Sequence, residues 1–157
     1  MVRVNCPYKL VAWDISGTLQ NPRTGVLFDG IREVVEALHS QGIKQAICTD
    51  LGNRRAHAFV EENRLAHVID SVQHTGINAF KPAKEMLEMA MIECAVENPS
   101  DVCMIGDNGC DIALAHAVKS ASIYASYGSF NESVLHEEPH HVARSVECLK
   151  EILKIKV

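Results

Sequence analysis

Eight residues suited to phosphate chemistry are spaced along the chain, most of them where an apolar run ends. They are Asp14, Ser16 and Gly17, then Thr49 and Asp50, then Lys81, and finally Asp107 and Asp111. Carboxylates that converge on one spot repel one another unless a cation lies between them. Hard oxygen ligands with open positions suit Mg²⁺, which keeps several waters and bridges to phosphate.

The other residue types in this set fit the phosphoryl group itself. A threonine hydroxyl and a lysine ammonium would bind its oxygens, and the glycine after Ser16 would let backbone amides approach the same anion. A carboxylate aligned with the phosphorus is a competent nucleophile. The set therefore predicts phosphoryl transfer through an aspartyl phosphate.

The elements that must position these residues alternate between short apolar runs and longer segments of helical period. The predicted strands are Leu10–Ile15, Lys44–Thr49, Val68–Val72, Val102–Ile105 and Ser122–Ala125. The predicted helices are Ile31–Ser40, Asn53–Asn63, Pro82–Ala95, Cys110–Val118 and Val142–Ile155. This alternation predicts an α/β fold, a Rossmann-like three-layer sandwich with a five-stranded parallel sheet. Such sheets bind ligands beyond the carboxyl ends of their strands, where the polar residues stand.

Turn and cap residues bound several of these elements. Gly42 is placed to end the first helix, Asn53 to cap the second, and Pro82 to occupy the first turn of the third. The stretch Asn21–Gly25 has strong turn chemistry, which predicts a small hairpin within a flap at about residues 17–30.

Length and charge limit the classes of protein that fit. The chain has 157 residues, with 15 Lys and Arg against 20 Asp and Glu, and a formal net charge of −5 at pH 7. This length suits a single domain over residues 1–157. The negative charge disfavours nucleic-acid binding, which depends on basic surfaces. No apolar run approaches the roughly 20 residues of a membrane-spanning helix, so no membrane contact is predicted.

The cysteines indicate a reducing compartment. They number 6 and form no C-x-x-C pair, and most lie in apolar stretches where free cysteine packs as a small hydrophobe. The first eight residues lack the apolar core of a signal peptide. The predicted location is the cytoplasm.

The polar residues form four ordered motifs that resemble those of the haloacid-dehalogenase-like hydrolases. The motifs are Asp14-x-Ser-Gly-Thr-Leu19, Thr49 after an apolar strand, Lys81-Pro82, and Gly106-Asp107-x-x-x-Asp111. The resemblance runs from Lys9 to about Gly128 and is nearest to the phosphoglycolate-phosphatase-like branch. It implies the fold of that superfamily and a Mg²⁺-dependent activity.

The resemblance also implies a metal site. Asp14 would be both the nucleophile and a ligand, Asp107 a second ligand, and the backbone carbonyl of Ser16 a third. Asp111 would stand beside the metal or its waters. A helix N-terminal acid, favoured by the macrodipole, explains Asp111 nearly as well.

The same resemblance implies how the phosphoryl group is held. Thr49 and Lys81 would bind it, and Lys81 would also neutralise Asp14. Gly17, within the first motif, and Asp50, directly after Thr49, are also expected beside the substrate.

Ser16 departs from the family pattern. Most phosphatases of the family carry there a second aspartate, which protonates the leaving alcohol and later activates water. General acid–base help of this kind is worth roughly 10²–10⁴-fold in rate, and serine does not supply it at neutral pH. Family members with a hydroxyl residue at this place include the P-type ATPases, whose phospho-aspartate is comparatively long-lived. Asp50 and His74 are alternative acids by position.

The second departure is the lack of a cap domain, since the intervals between motifs hold only the basic fold and the small flap. A site without a cap is open to solvent and accepts bulky substrates. Alternatively, a partner subunit covers it, so a homo-oligomer is a further possibility.

Two hypotheses of function remain. The first is a phosphohydrolase or phosphotransferase that acts on an unidentified phosphorylated substrate through phospho-Asp14. The alternative is a catalytically impaired binding or regulatory domain, suggested by Ser16. A two-component receiver domain uses similar residues, but its acidic pair lies on the first strand and its phosphoacceptor on the third. Here carboxylates follow strands one and four, and Thr49 follows strand two.

Overall fold

In the part of the chain that the structure describes, six parallel strands form one sheet with helices on both faces. The computed structural model describes residues 6–75, 81, 83–128 and 135–155. The strands are β1 (Leu10–Trp13), β2 (Lys44–Gly52), β3 (Ser71–Thr75), β4 (Val102–Gly106), β5 (Ala121–Ala125) and β6 (His141–Ala143). The helices are α1 (Ile31–Ser40), α2 (Asn53–Glu62), α3 (Lys84–Glu93), α4 (Gly109–Ala117) and α5 (Val146–Ile152). Short 3-10 turns lie at Pro99–Asp101 and Ser126–Gly128.

The strand order β3-β2-β1-β4-β5-β6 places β1 at the centre of the sheet. The chain builds outward from β1 to β3 on one side and then from β4 to β6 on the other. Trp13, the last residue of β1, lies in register with Ile47 of β2 and Ile105 of β4. The reversal of strand order makes a crevice at the carboxyl end of β1, where ligands bind in folds of this type.

The alternation of side chains along β1 divides the core into two layers. Val11 and Trp13 pack on one face with helices α1, α2 and α5. Leu10 and Ala12 pack on the other face with α3 and α4. All four side chains are fully buried, as expected for a central parallel strand covered on both faces. The predicted α/β sandwich is confirmed.

One buried amide joins three elements of this core. Gln45 of β2 accepts a hydrogen bond from Trp13 Nε1 (3.0 Å) and donates one from Nε2 to the carbonyl of Val35 in α1 (2.8 Å). Its side chain is fully buried, and both ends of the amide are satisfied. The pair fixes α1 against the centre of the sheet.

The segment between β1 and α1 contains the expected hairpin. Gln20 and Leu27 form an antiparallel bridge, and the Gly25 N–H donates to the carbonyl of Asn21 (2.8 Å) to close the turn. The Phe28 N–H donates to the carbonyl of Leu19 (3.0 Å). These bonds bring residue 28 back beside the loop that follows β1.

The prediction of five strands was wrong by one, because β6 lies inside the segment predicted as the closing helix. Residues 141–143 are extended and pair in parallel with β5, from Ile123 with His141 to Ala125 with Ala143. Helix α5 begins only at Val146, where Ser145 Oγ accepts a hydrogen bond from the Cys148 N–H (3.0 Å). A strand of three residues is too short to show a period of its own.

Two local predictions also need correction, and a third concerns a residue outside the part of the chain that the structure describes. The third strand runs over Ser71–Thr75, whereas the prediction began it at Val68, which lies in the preceding turn. Gly52, and not Asn53, is the N-cap of α2, and it makes no side-chain cap hydrogen bond. Pro82 lies outside the described residues. Gly42 does follow the end of α1 with a positive φ of 77°, as predicted.

No helix in the described part of the chain is both long and apolar enough to cross a membrane.

Candidate active site

The loop after β1 presents Asp14 at the carboxyl edge of the sheet. The Asp14 N–H still donates to the carbonyl of Ile105 in β4 (3.0 Å), which fixes the residue to the end of the central strands. The chain then turns sharply, because the Ile15 carbonyl accepts the amides of the next turn: those of Thr18 (3.2 Å), Leu19 (3.0 Å) and Gln20 (2.9 Å). The Asp14 side chain is almost completely buried.

Lys81 reaches the same point from a different part of the chain. Its Nζ lies 2.7 Å from Asp14 Oδ1 and 2.6 Å from Asp111 Oδ1. All three side chains are buried, so these ion pairs are shielded from solvent and gain strength from the low local dielectric. The two carboxylates outweigh the cost of burial and raise the pKa of the Lys81 ammonium, which stays charged.

A third carboxylate makes the site strongly acidic. Asp14, Asp107 and Asp111 each offer a carboxylate oxygen, and these oxygens all lie within 4.8 Å of one another. Three carboxylates against the single ammonium of Lys81 leave two negative charges in excess when all are ionised. Burial, then the hydrogen bond and charge of Asp14, raise the pKa of Asp107 to about 8. Burial and the charge of Asp14 likewise raise the pKa of Asp111.

Asp111 serves as a helix cap as well as a member of the acidic cluster. Its Oδ2 accepts from the Asn108 N–H (3.3 Å), and Asn108 Oδ1 in turn accepts from the Cys110 N–H (2.8 Å). This reciprocal capping box starts α4. Asp111 therefore has two roles, one for each carboxylate oxygen. Its Oδ2 caps helix α4, as the sequence suggested, and its Oδ1 binds the Lys81 ammonium.

Thr49 and Asp50 lie where β2 becomes irregular. The register with β3 shifts between Cys48 and Gly52, and bulges of this kind often lie next to active sites. The hydroxyl of Thr49, only 2% exposed, accepts from the Leu51 N–H (3.1 Å). Asp50 is exposed, and its Oδ1 accepts from the backbone N–H of Lys81 (3.0 Å). Asp50 thus contacts the backbone of Lys81 rather than its ammonium.

Gly17 and Ser16 occupy different environments in the loop after β1. Gly17 has a φ of 82°, and a Cβ added there would overlap the carboxylate of Asp107. Only glycine allows the loop to lie this close to the acidic cluster. Ser16 is exposed at the same edge. His74, the other alternative acid, stands on β3 with its ring centroid 6.3 Å from that of His57.

Tyr127 is a neighbour of the site that the sequence analysis missed. Its hydroxyl donates to the carbonyl of Thr18 (2.7 Å), and its ring meets Phe28 edge-on at 5.1 Å between centroids. Burial, then the charges of Asp107 and Asp14, raise the pKa of its phenol. The one available signal was its place just after the fifth strand, at the same carboxyl edge as the motifs.

The donor set fits a hard divalent cation. Clustered carboxylates with raised pKa values hold protons where a cation would otherwise offset their charge. Mg²⁺ prefers such oxygen ligands and is usually bound by one or two carboxylates with waters and phosphate oxygens. Asp14 and Asp107 would supply the carboxylates.

Comparison with known proteins agrees with this geometry. Residues 14–125 match the family described as haloacid dehalogenase-like hydrolase. Because the match covers most of the chain, the protein belongs to the haloacid dehalogenase-like hydrolases, and the resemblance seen in the four motifs is confirmed.

Two relatives fall in the expected branch. Pyrophosphatase PpaX of Halalkalibacterium halodurans is 28% identical over 131 residues, covering 82% of this chain and 60% of the relative. Phosphoglycolate phosphatase of Vibrio parahaemolyticus is 26% identical over 131 residues, covering 82% of this chain and 57% of the relative. The chain thus spans less than two thirds of the length of either relative.

A solved structure confirms the fold across the chain. A Had-superfamily hydrolase from Ehrlichia chaffeensis superposes with a TM-score of 0.79 at 16% identity, covering 97% of this chain and 98% of that one. At this identity the likeness concerns the fold alone.

Proposed function

We propose that the protein is a Mg²⁺-dependent phosphohydrolase or phosphotransferase that works through an aspartyl phosphate on Asp14. The observation that carries the proposal is the Lys81 ammonium held between Asp14 and Asp111 inside a cluster of three carboxylates. The names of the relatives, a pyrophosphatase and phosphoglycolate phosphatases, support a substrate that carries a phosphoryl group.

Each residue has a defined task in this proposal. A carboxylate oxygen of Asp14 attacks phosphorus, so that the new oxygen–phosphorus bond forms as the bond to the leaving oxygen breaks. Lys81 and the Thr49 hydroxyl bind the phosphoryl oxygens, and Lys81 also pairs with Asp14. When bound by Asp14, Asp107 and the carbonyl of Ser16, Mg²⁺ would offset charge on those oxygens. Water then cleaves the aspartyl phosphate, or an acceptor hydroxyl takes the phosphoryl group.

Ser16 determines which step of this reaction we expect to limit the rate. The leaving oxygen needs a proton and the attacking water must lose one, and a serine hydroxyl does neither at neutral pH. With a substrate whose leaving oxygen needs no proton, such as an aryl phosphate, only the breakdown step lacks this help, so we expect the phospho-enzyme to form faster than it breaks down. A burst of product equal to the enzyme concentration, followed by slow turnover, is the kinetic signature.

Further properties belong to the same proposal. We propose that residues 1–157 form one domain. The part of the chain that the structure describes contains no cap domain, so the site would be open unless a second copy covers it. All six cysteines are free, and four of them are buried, which supports a reducing location such as the cytoplasm. Asp50 and Gly17 would adjoin the substrate through their places beside Lys81 and Asp107.

A screen of phosphorylated metabolites with Mg²⁺, and with chelator in its place, tests the proposed function. Asp14→Asn should abolish both the burst and the turnover. Asp101→Asn is a matched control, because that carboxylate pairs with Lys9 at the opposite edge of the sheet (3.6 Å). Unchanged activity in Asp14→Asn would refute the proposal.

Ser16 also favours the alternative of a catalytically impaired binding domain, and one substitution separates the two. Ser16→Asp should raise steady-state turnover by roughly 10²-fold if the site is competent and lacks only the acid. A folded Ser16→Asp variant that binds Mg²⁺ but never releases phosphate would favour the binding domain.

A further inference from the structure

The loop that carries the nucleophile, Asp14, contacts a turn that is distant in sequence. The turn Ser126–Gly128 follows β5, whereas the loop follows β1, and the strands β1 and β5 are separated in the sheet by β4. Two contacts join turn and loop. The Tyr127 hydroxyl donates to the carbonyl of Thr18 (2.7 Å), and Gly128 lies so close to the carbonyl of Gly17 that a Cβ would overlap it.

These contacts reach the acidic cluster through one further step. Gly17 packs directly against the carboxylate of Asp107, so a shift of the Thr18 carbonyl would move Gly17 and with it the surroundings of Asp107. The same loop carries Ser16, whose backbone carbonyl is one of the proposed magnesium ligands. Among the described residues, Thr18 Oγ1 is the buried side-chain polar atom that has no hydrogen-bond partner. Thr18 is therefore held through its backbone: its N–H donates to the carbonyl of Ile15 (3.2 Å), and its carbonyl accepts from the Tyr127 hydroxyl.

The orientation of the tyrosine is itself set by the flap. Its ring meets Phe28 at an interplanar angle of 85°, and the Phe28 N–H bonds the carbonyl of Leu19, next to Thr18. The Tyr127 side chain thus contacts Phe28 of the flap and the carbonyl of Thr18 in the loop that carries Asp14, and it joins both to the turn Ser126–Gly128. Removing its hydroxyl leaves the ring packing intact and takes away only the bond to the loop.

We propose that Tyr127 is a positioning residue, which holds the Asp14–Thr18 loop against Asp107 in the geometry required for magnesium binding and phosphoryl transfer. The proposal rests on the proposed function. Tyr127 does not touch the reacting atoms in this account, and it acts through the carbonyl of Thr18. Sites held by such supporting contacts lose function when the support is removed, even though every reacting group remains.

Tyr127→Phe is the direct test, because it deletes one hydrogen-bond donor and keeps the ring. We expect kcat to fall about 5- to 10-fold and the magnesium dissociation constant, measured by titration calorimetry without substrate, to rise by a similar factor. The thermal midpoint should change little. Tyr8→Phe is the matched control, since Tyr8 precedes β1 at the opposite edge of the sheet. It should keep both properties.

A double-mutant cycle protects the test against a folding defect. Phe28→Leu should lower kcat on its own but add little in the Tyr127→Phe background, because both changes act on the same contact set. Independent, additive effects would overturn the proposal, as would wild-type kcat and magnesium affinity in Tyr127→Phe. If the wild-type chain itself releases no phosphate, the proposed function fails instead. The calorimetric comparison still tests Tyr127 in that case.

Discussion

Lys81 and Asp50 show how one side chain can set the position of another. The Lys81 ammonium lies between two buried carboxylates, while its backbone N–H is held by Asp50 Oδ1 at 3.0 Å. The lysine is therefore fixed at both ends. This arrangement gives Asp50 a task that differs from the proton transfer that its position alone suggested.

Two substitutions at Asp50 distinguish these tasks. Asp50→Asn keeps an oxygen that can accept the Lys81 N–H, and we expect it to retain kcat/KM within about twofold. Asp50→Ala removes the acceptor and should lower kcat/KM about 3- to 10-fold. Steady-state kinetics on the best substrate decides. If the asparagine variant is as slow as the alanine variant, the carboxyl group itself is needed, and a proton-transfer role is the better account.

The acidic cluster predicts that magnesium stabilises the protein more at higher pH. A raised carboxyl pKa means that the folded, metal-free protein holds protons that the unfolded chain releases. The resulting stability is full below the unfolded pKa of about 4 and is lost as the pH rises through about 8, the folded value for Asp107. Magnesium replaces those protons. Its stabilising effect should therefore grow from pH 6 to pH 8.5.

Thermal unfolding with chelator or with excess magnesium at the two pH values measures this effect. Asp107→Asn should flatten the decline of the metal-free midpoint and remove most of the magnesium-induced rise. The control Asp101→Asn, at the opposite edge of the sheet, should behave as wild type. A magnesium-induced rise that is the same at both pH values would contradict the charge balance described for the site.

At the scale of elements, the periodicity of apolar residues predicted the long helices correctly and failed for the shortest strand. The α1 range Ile31–Ser40 agrees with the prediction at both ends, because its apolar stripe and the following Gly42 leave little choice. β6 was absorbed into the last helix, since three residues show no period. The bounds of β3 depend on its hydrogen-bonded pairing with β2. That pairing cannot be predicted from the sequence of β3 alone.

Gln45 provides a test of how these elements are joined. Gln45→Leu would leave the Trp13 indole N–H unpaired in the core, which typically costs about 1–3 kcal/mol. Urea unfolding should show that loss. Gln73→Leu, at the sheet edge, loses partly exposed hydrogen bonds to Ser71 and Glu93 and leaves no fully buried donor unpaired, so it should cost less than the Gln45 substitution. Equal stability of the Gln45→Leu variant and the wild type would show that the buried amide does not hold α1 to the sheet.

At the scale of the whole molecule, the strand order decides how much of the site the sequence could predict. Asp14 and Asp107 follow β1 and β4, and Thr49 lies near the carboxyl end of β2. These three strands are neighbours in the parallel sheet, so strand-end positions read from the sequence bring the residues to one edge. Tyr127 could not be found in this way. It meets Thr18 across 109 residues of sequence, and that contact depends on the path of the chain after β5.

The central claim is that a phosphoryl group passes through Asp14. Acid quenching during turnover, followed by borohydride reduction and tandem mass spectrometry, locates an acyl phosphate on a single side chain. Borohydride reduces the acyl phosphate and so labels the side chain that carried it. The account predicts that this label lies on Asp14, accumulates in the wild type, and is much less abundant in Ser16→Asp. Phosphate release that continues while Asp14 stays unlabelled, or a label on another residue, would contradict it.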